Sequence, residues 1–296
     1  MRRPRRRAPS ARRGDGGARR RGIPRPRSPD GRGVATVSAP RLRFESASVR
    51  VGRVSLSTGA TEPEPGGVTV LLGLNGSGKT TALRAAAGLV HPAGGRVTLD
   101  GADVHGLPAA ARAARIAFVP QRMEVGAPFT VREVVGLGRV ALRSDPAEVD
   151  AALASVGLAA LADRPFATLS GGQQQRVGVA RALAQHSPGG VLLLDEAFAA
   201  VDLPETATLV ALVRRAAGQG ATVLAAVHDL SLAGALADHV WCLRDGATAA
   251  FGPAADVLVP ATLRALLGVE VRAMQGSDGR PVLAADYGTT LAPTTR

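Results

Sequence analysis

Val68-Thr69-Val70-Leu71-Leu72-Gly73-Leu74-Asn75-Gly76-Ser77-Gly78-Lys79-Thr80-Thr81 is the stretch on which the fold turns. The first five residues form an apolar run of strand length, and the pattern G-x-x-x-x-G-K-[ST] follows at once. Gly73, Gly76 and Gly78 let the backbone pass close to phosphate oxygens. The N–H groups of Asn75, Gly76, Ser77, Gly78, Lys79, Thr80 and Thr81 then solvate negative charge at the start of the next helix. Lys79 adds a mobile cation for the β and γ phosphates, and Thr80 offers a hydroxyl to Mg²⁺, an ion that prefers oxygen ligands. A glycine-rich turn would explain the glycines but not Lys-Thr in register after them. The ligand implied is a nucleoside triphosphate.

Far downstream, Val191-Leu192-Leu193-Leu194 ends in Asp195 and Glu196. A buried parallel strand delivers Asp195 at its carboxyl end, where ligands bind in open α/β sheets, and there it is a metal ligand. Glu196 points elsewhere and suits the general base that takes a proton from water. Between the two motifs, Leu169-Ser170-Gly171-Gly172-Gln173-Gln174-Gln175-Arg176 precedes an alanine-rich helical pattern. Ser170 reads as an N-cap, and a Ser-Gly-Gly start leaves free N–H groups and a positive dipole end for an anion. Alone, this would be no more than a capped helix after a turn.

Taken together, these residues resemble the ATP-binding subunit of an ABC transporter, over about residues 41–275. By that resemblance Gln121 matches the Q-loop and would reach the metal, Asp202 matches the D-loop, and His228 matches the switch histidine that contacts the γ phosphate. The catalytic set is then Glu196, His228 and Lys79. The metal set is Thr80, Gln121 and Asp195, with ATP and Mg²⁺ as cofactors. The family holds nucleotide head to tail in a homodimer, so Ser170, Gly172, Gln173 and Asp202 of one chain would close on the phosphate loop of the other. Multi-span permease subunits would anchor the pair at the cytoplasmic face of the membrane, with a substrate-binding protein as indirect partner and Arg122 to Arg139 as the coupling segment. Phrases such as Asp100-Gly101-Ala102-Asp103-Val104 and Phe251-Gly252-Pro253 are similar to importers of iron-siderophore complexes, haem and vitamin B12, haem import above all. Zinc or manganese import is a neighbouring alternative. A non-transport member with a nucleic-acid partner is another, but long heptad helices and a second cassette are both missing, and no nucleic acid is expected.

The fold class implied is α/β: a P-loop NTPase with a RecA-like core sheet, a small antiparallel β piece and an inserted all-helical subdomain at about 122–186. Strands are expected at 41–51, 68–72, 96–99, 115–119, 191–195, 221–227 and 239–243. Helices are expected at 79–88, 108–113, 130–138, 147–156, 172–186, 204–218, 230–238 and 261–267. A hairpin is read at 269–273 and 281–284. The domain bounds are a tail at 1–36, the ATPase domain at 37–275 and a hairpin and tail at 276–296. Two departures stand out. Val51 falls where the family carries an aromatic residue that stacks on adenine, with Phe44 as a weak substitute. Pro63 and Pro65 fall where a strand is expected, which points to a trimmed antiparallel piece.

The 296 residues are 46% apolar with a net charge of +12, enough to bury a substantial core. Cys242 is the single cysteine, which excludes an internal disulfide and a cysteine-built metal cluster. No apolar run approaches the ~20 residues of a spanning helix. The charge is concentrated in residues 1–33, with 13 Arg and 2 Asp, whereas the rest holds 23 basic and 22 acidic groups. Such a segment buries too little apolar surface to offset ordering entropy, and disorder is expected. It is suited to touch anionic lipid or nucleic acid, or it marks a translation start upstream of the true one near Val34 or Val37, the reading favoured here. A secretory signal is not indicated, since no apolar stretch follows the arginines.

Overall fold

The computed structural model describes residues 39–52, 54–143, 145–186, 189–286 and 288. The arginine-rich segment, with both readings of it, lies outside the described residues. In chain order the strands and helices are β1 (Leu42–Val51), β2 (Val54–Ser57), β3 (Ala60–Thr61), β4 (Val68–Leu72), α1 (Lys79–Ala86), β5 (Gly94–Leu99), β6 (Ala102–Asp103), α2 (Ala109–Ala113), β7 (Ile116–Val119), α3 (Val131–Gly136), α4 (Pro146–Ser155), α5 (Gly171–Gln185) and β8 (Val191–Asp195). There follow α6 (Leu203–Gly218), β9 (Thr222–Ala226), α7 (Leu230–Leu236), β10 (His239–Arg244), β11 (Ala247–Pro253), α8 (Ala254–Val257), α9 (Pro260–Leu267), β12 (Glu270–Gln275) and β13 (Pro281–Asp286).

One sheet runs β6-β5-β1-β2-β11-β10-β4-β9-β8-β7, with β3 on β1. Strands β10, β4, β9, β8 and β7 are parallel and form the core. Their residues are buried on both faces, as a helix-covered parallel sheet requires. Alternation then sorts them: Val70, Leu192, Leu194 and Val223 enter one core layer, Leu71, Leu193 and Leu224 the other. Helix α1 covers the second layer through Ala82, Leu83 and Ala86, while α5, α6 and α7 cover the first.

The antiparallel piece is present, with β2 of four residues and β3 of two. β1 pairs with β2, β3 and β5, and Pro63 and Pro65 sit after β3 in the passage to β4. It joins the parallel core through β11, an element absent from the sequence-based expectation, along with β2, β3, β6 and α8. β11 alternates exposed and half-buried small residues, a pattern with little hydrophobic signal. The insertion at 122–186 holds α3, α4 and α5, each with a side-chain cap. Thr130 and Glu133 cap α3 reciprocally, Asp145 caps α4, and Ser170 and Gln173 cap α5. The C-terminal hairpin pairs Glu270 with Asp286 through Gln275 with Pro281, so a division at residue 275 passes through its turn.

Trp241 on β10 is the largest fully buried side chain among the described residues. It is fully buried, meets Phe44 edge-on at 4.8 Å and donates its indole N–H to Thr248 Oγ1 at 2.9 Å. Phe44 is therefore a core residue between β1 and β10 and is not available to stack on adenine. Replacing Trp241 by Ala is expected to lower unfolding free energy by about 3–5 kcal/mol. Denaturant unfolding followed by far-UV circular dichroism checks this; an unchanged midpoint would contradict the packing assigned to it.

Candidate nucleotide-binding site

The parallel strands end in a common row at their carboxyl termini. Registers Leu71↔Ala226 and Asp195↔Ala226 place the end of β4, which leads into the glycine loop, one strand away from Asp195. The loop needs its glycines for space as well as for conformation: a Cβ at Gly73 would collide with the Leu243 carbonyl and the Ser77 hydroxyl. At Gly78, φ is 107° and a Cβ would press on Leu56 of β2, which buttresses the loop from the antiparallel side.

Lys79 is 5% exposed and turns back into the loop, donating to Gly73 O at 2.8 Å and Leu74 O at 3.1 Å. Burial holds its ammonium below the usual lysine value, opposed by the charges of Glu196 and Asp195. Thr80 donates to Asp195 Oδ1 at 3.0 Å. Burial raises the Asp195 carboxyl above the usual aspartate value; the Thr80 hydrogen bond, Arg84 and Lys79 pull the other way, and Glu196 adds to the rise. Ser77 Oγ is buried with no partner among the described residues, and Thr81 is buried beside it, while Asn75 and Gly76 are exposed. A desolvated carboxylate beside a hydroxyl, both hard oxygens, fits a magnesium ion.

Glu196 follows Asp195 but adopts φ 53°, in the left-handed region, and its side chain leaves in another direction. Gln121 Nε2 donates to its Oε2 at 2.6 Å, and His228 Nε2 pairs with its Oε1. The structure thus brings Lys79, Thr80, Asp195, Glu196, Gln121 and His228 together, with Gln121 on Glu196 rather than on the Thr80–Asp195 pair. A cavity of about 590 Å³ opens beside Glu196 and His228, walled by Val201, Val210, Leu232 and Ala235.

Ser170, Gly172, Gln173 and Asp202 are elsewhere. Ser170 is exposed at the N-terminus of α5, where its hydroxyl accepts from Gln173 N and Gln173 Oε1 accepts from Ser170 N at 3.0 Å. Gly172 lies against the Ala200 carbonyl, so close that a Cβ would collide with it, and Ala200 has φ 58°. Asp202 is exposed at the start of α6 without a side-chain capping bond. Among the described residues, no hydrogen bond joins this group to the glycine loop of the same chain.

Arg181 was not anticipated. From α5 it reaches Phe118 O at 3.1 Å, just ahead of Gln121, and burial lowers its guanidinium's pKa. On a helix of unknown orientation an arginine reads as solvated, so no sequence signal marked it. Gly178, one turn earlier, makes room for Met123.

A family model described as ABC transporter matches residues 60–199. The hemin import ATP-binding protein HmuV of Pseudomonas entomophila is 44% identical over 214 residues, 70% of this chain and 84% of that protein. The chain belongs to the ABC transporter family of ATP-binding proteins. Its activity is that of an ATPase. The cobalamin import ATP-binding protein BtuD of Halobacterium salinarum is 43% identical over 208 residues, 68% of this chain, which spans about half (52%) of that relative. In fold, an inward-facing transporter assigned to the metal-chelate type matches with a TM-score of 0.69 at 24% identity, covering 84% of this chain and 98% of that one.

The buried Asp195 charge opposes folding until a cation answers it. Asp195→Asn is therefore expected to raise the melting temperature of the nucleotide-free ATPase while abolishing the further rise that MgATP gives the unmodified protein. A lower melting temperature with an undiminished MgATP response would contradict the assignment.

Proposed function

We propose that this ATPase powers the import of haem, acting as a homodimer at the cytoplasmic face of a membrane beneath a multi-span permease that takes cargo from a substrate-binding protein. The observation that carries the cargo is the 44% identity to a hemin import subunit along most of its length. Cobalamin is the second reading, favoured by the 43% identical relative that bears that name. No helix among the described residues is long and apolar enough to cross a membrane. A groove between the core and the helical insertion supports its docking, with Leu89, Phe118, Leu137 and Arg181 in its walls and Leu89 59% exposed. The Gln121 loop begins beside that groove, so a shift of the permease would reach Glu196 through Gln121.

For hydrolysis, the loop amides from Gly76 to Thr81 hold the phosphates and Lys79 leaves its loop carbonyls for the β and γ oxygens. Thr80 and Asp195 would hold Mg²⁺, which when bound neutralises charge on those oxygens. Water attacks the γ phosphorus as the bond to the bridging oxygen breaks, and ADP carries that oxygen away. Glu196 accepts the proton of the water. His228, now paired with Glu196, moves to the γ phosphate and frees Oε1 for that proton. The partner subunit's Ser170, Gly172 and Gln173 present the exposed N-terminus of α5 to the γ phosphate, with Asp202 beside them. Its dipole end favours the anion. This division of labour accounts for a signature helix that is capped, exposed and unconnected to the glycine loop of its own chain.

Glu196→Gln is expected to cut turnover by about two orders of magnitude or more while nucleotide still binds, and to accumulate an ATP-bound dimer on size-exclusion chromatography. Turnover at the unmodified rate would remove Glu196 from the role. For cargo, the ATPase assembled with its permease in liposomes should be stimulated by binding protein loaded with haem. Stimulation by cobalamin-loaded protein instead would replace the first reading with the second.

A further inference from the structure

The C-terminal hairpin β12–β13 stands apart from the main sheet and packs on α7, the helix that begins two residues after His228. Leu283 is 1% exposed, and it joins the core layer that holds Ala233, Leu236 and Ala237 of α7. The approach is too close for a side chain: a Cβ at Gly234 would collide with the Pro281 carbonyl. Ser231 Oγ donates to Leu283 O at 3.2 Å near the start of the helix. At its end, Arg280 donates to Ala237 O at 2.7 Å and to Asp238 Oδ1 at 2.8 Å. The other oxygen of Asp238 accepts from Val68 N at 2.9 Å, the first residue of the strand that leads into the glycine loop. Burial alone would raise the Asp238 carboxyl, but Arg280, the Val68 amide and Arg214 hold it below the usual aspartate value.

Helix α7 is thus fastened at both ends. Asp229 caps its start, accepting from Ser231 N at 2.6 Å and Leu232 N at 3.2 Å, directly beside His228. A seven-residue helix moves as one body, so its height against β4 sets where His228 meets Glu196.

We propose that the hairpin is a positioning element for hydrolysis, with Arg280 as the positioning residue that fixes α7, and through it His228, relative to the glycine loop. This rests on the role given to His228 above. Arg280 touches neither nucleotide nor reacting atoms. Its loss should leave ATP binding intact and misplace the switch histidine, and a displacement near 1 Å lowers turnover by about ten- to a hundredfold.

The test is steady-state ATP hydrolysis by the full chain with its permease, comparing Arg280→Ala, Arg280→Lys, His228→Ala and the double variant Arg280→Ala/His228→Ala. Arg280→Ala should lower kcat about tenfold or more with KM within about twofold, and Arg280→Lys should recover part of it, because an ammonium that reaches Asp238 does not also span to the Ala237 carbonyl as the guanidinium fork does. In the His228→Ala background, Arg280→Ala should have no further effect on kcat, since both act through one group. Should Arg280→Ala not fold, Ser231→Ala, which loosens the same helix at its other end, must show the same dependence on His228. An unchanged kcat in Arg280→Ala, or an equal loss whether or not His228 is present, overturns the proposal while leaving the site intact. Unmodified turnover in His228→Ala would instead overturn the site reading, and this proposal with it.

Discussion

Two desolvated charges govern the architecture, one just past the loop that follows β4 and one at the end of β8, with β9 between the two strands. Lys79 and Asp195 are both nearly inaccessible, each shifted toward its neutral form by burial, and among the described residues neither has a bonded counter-ion. Such charges are tolerated only where the surrounding structure fixes them and a ligand later completes them. The parallel core strands, buried on both faces, do the fixing. The Thr80 hydroxyl is bonded to Asp195, and the glycine-loop carbonyls accept from Lys79. A triphosphate with its cation would supply the opposite charges for both groups at once.

Around that pair the structure separates holding from hydrolysing. Asp195 stays with Thr80, whereas the left-handed backbone at Glu196 sends the next carboxylate to Gln121 and His228. These two come from different parts of the molecule. Gln121 leads into the helical insertion, which Arg181 ties to the end of β7, and His228 leads into α7, which the hairpin holds. Glu196 therefore sits where a movement of either part is felt, an arrangement suited to an ATPase that answers to a permease.

Much of this was legible in the chain. The β4 run, the β8 run ending in Asp195 and the Ser170 cap each carry a local pattern whose meaning does not depend on distant residues, and they appear where expected. What failed was long-range or weakly patterned. β11, mostly small residues, carries little hydrophobic alternation in its sequence, and Phe44 lies on a strand whose facing partner, Trp241, is nearly two hundred residues away. Pro63 and Pro65 lie outside any strand, as read, but the short β2 and β3 ahead of them carried no pattern of their own. The Gln121–Glu196 bond and the Arg280–Asp238–Val68 chain join residues with no shared period or motif, so only the fold reveals them.

The central claim is that one chain's phosphate loop works with another chain's α5 N-terminus. The most direct measurement mixes two inactive variants, Lys79→Ala and Ser170→Ala, and follows ATP hydrolysis as mixed dimers form. A composite site predicts recovery, because each mixed dimer regains one pocket with Lys79 from one chain and Ser170 from the other. No recovery on mixing, with mixed dimers demonstrated, would contradict the account.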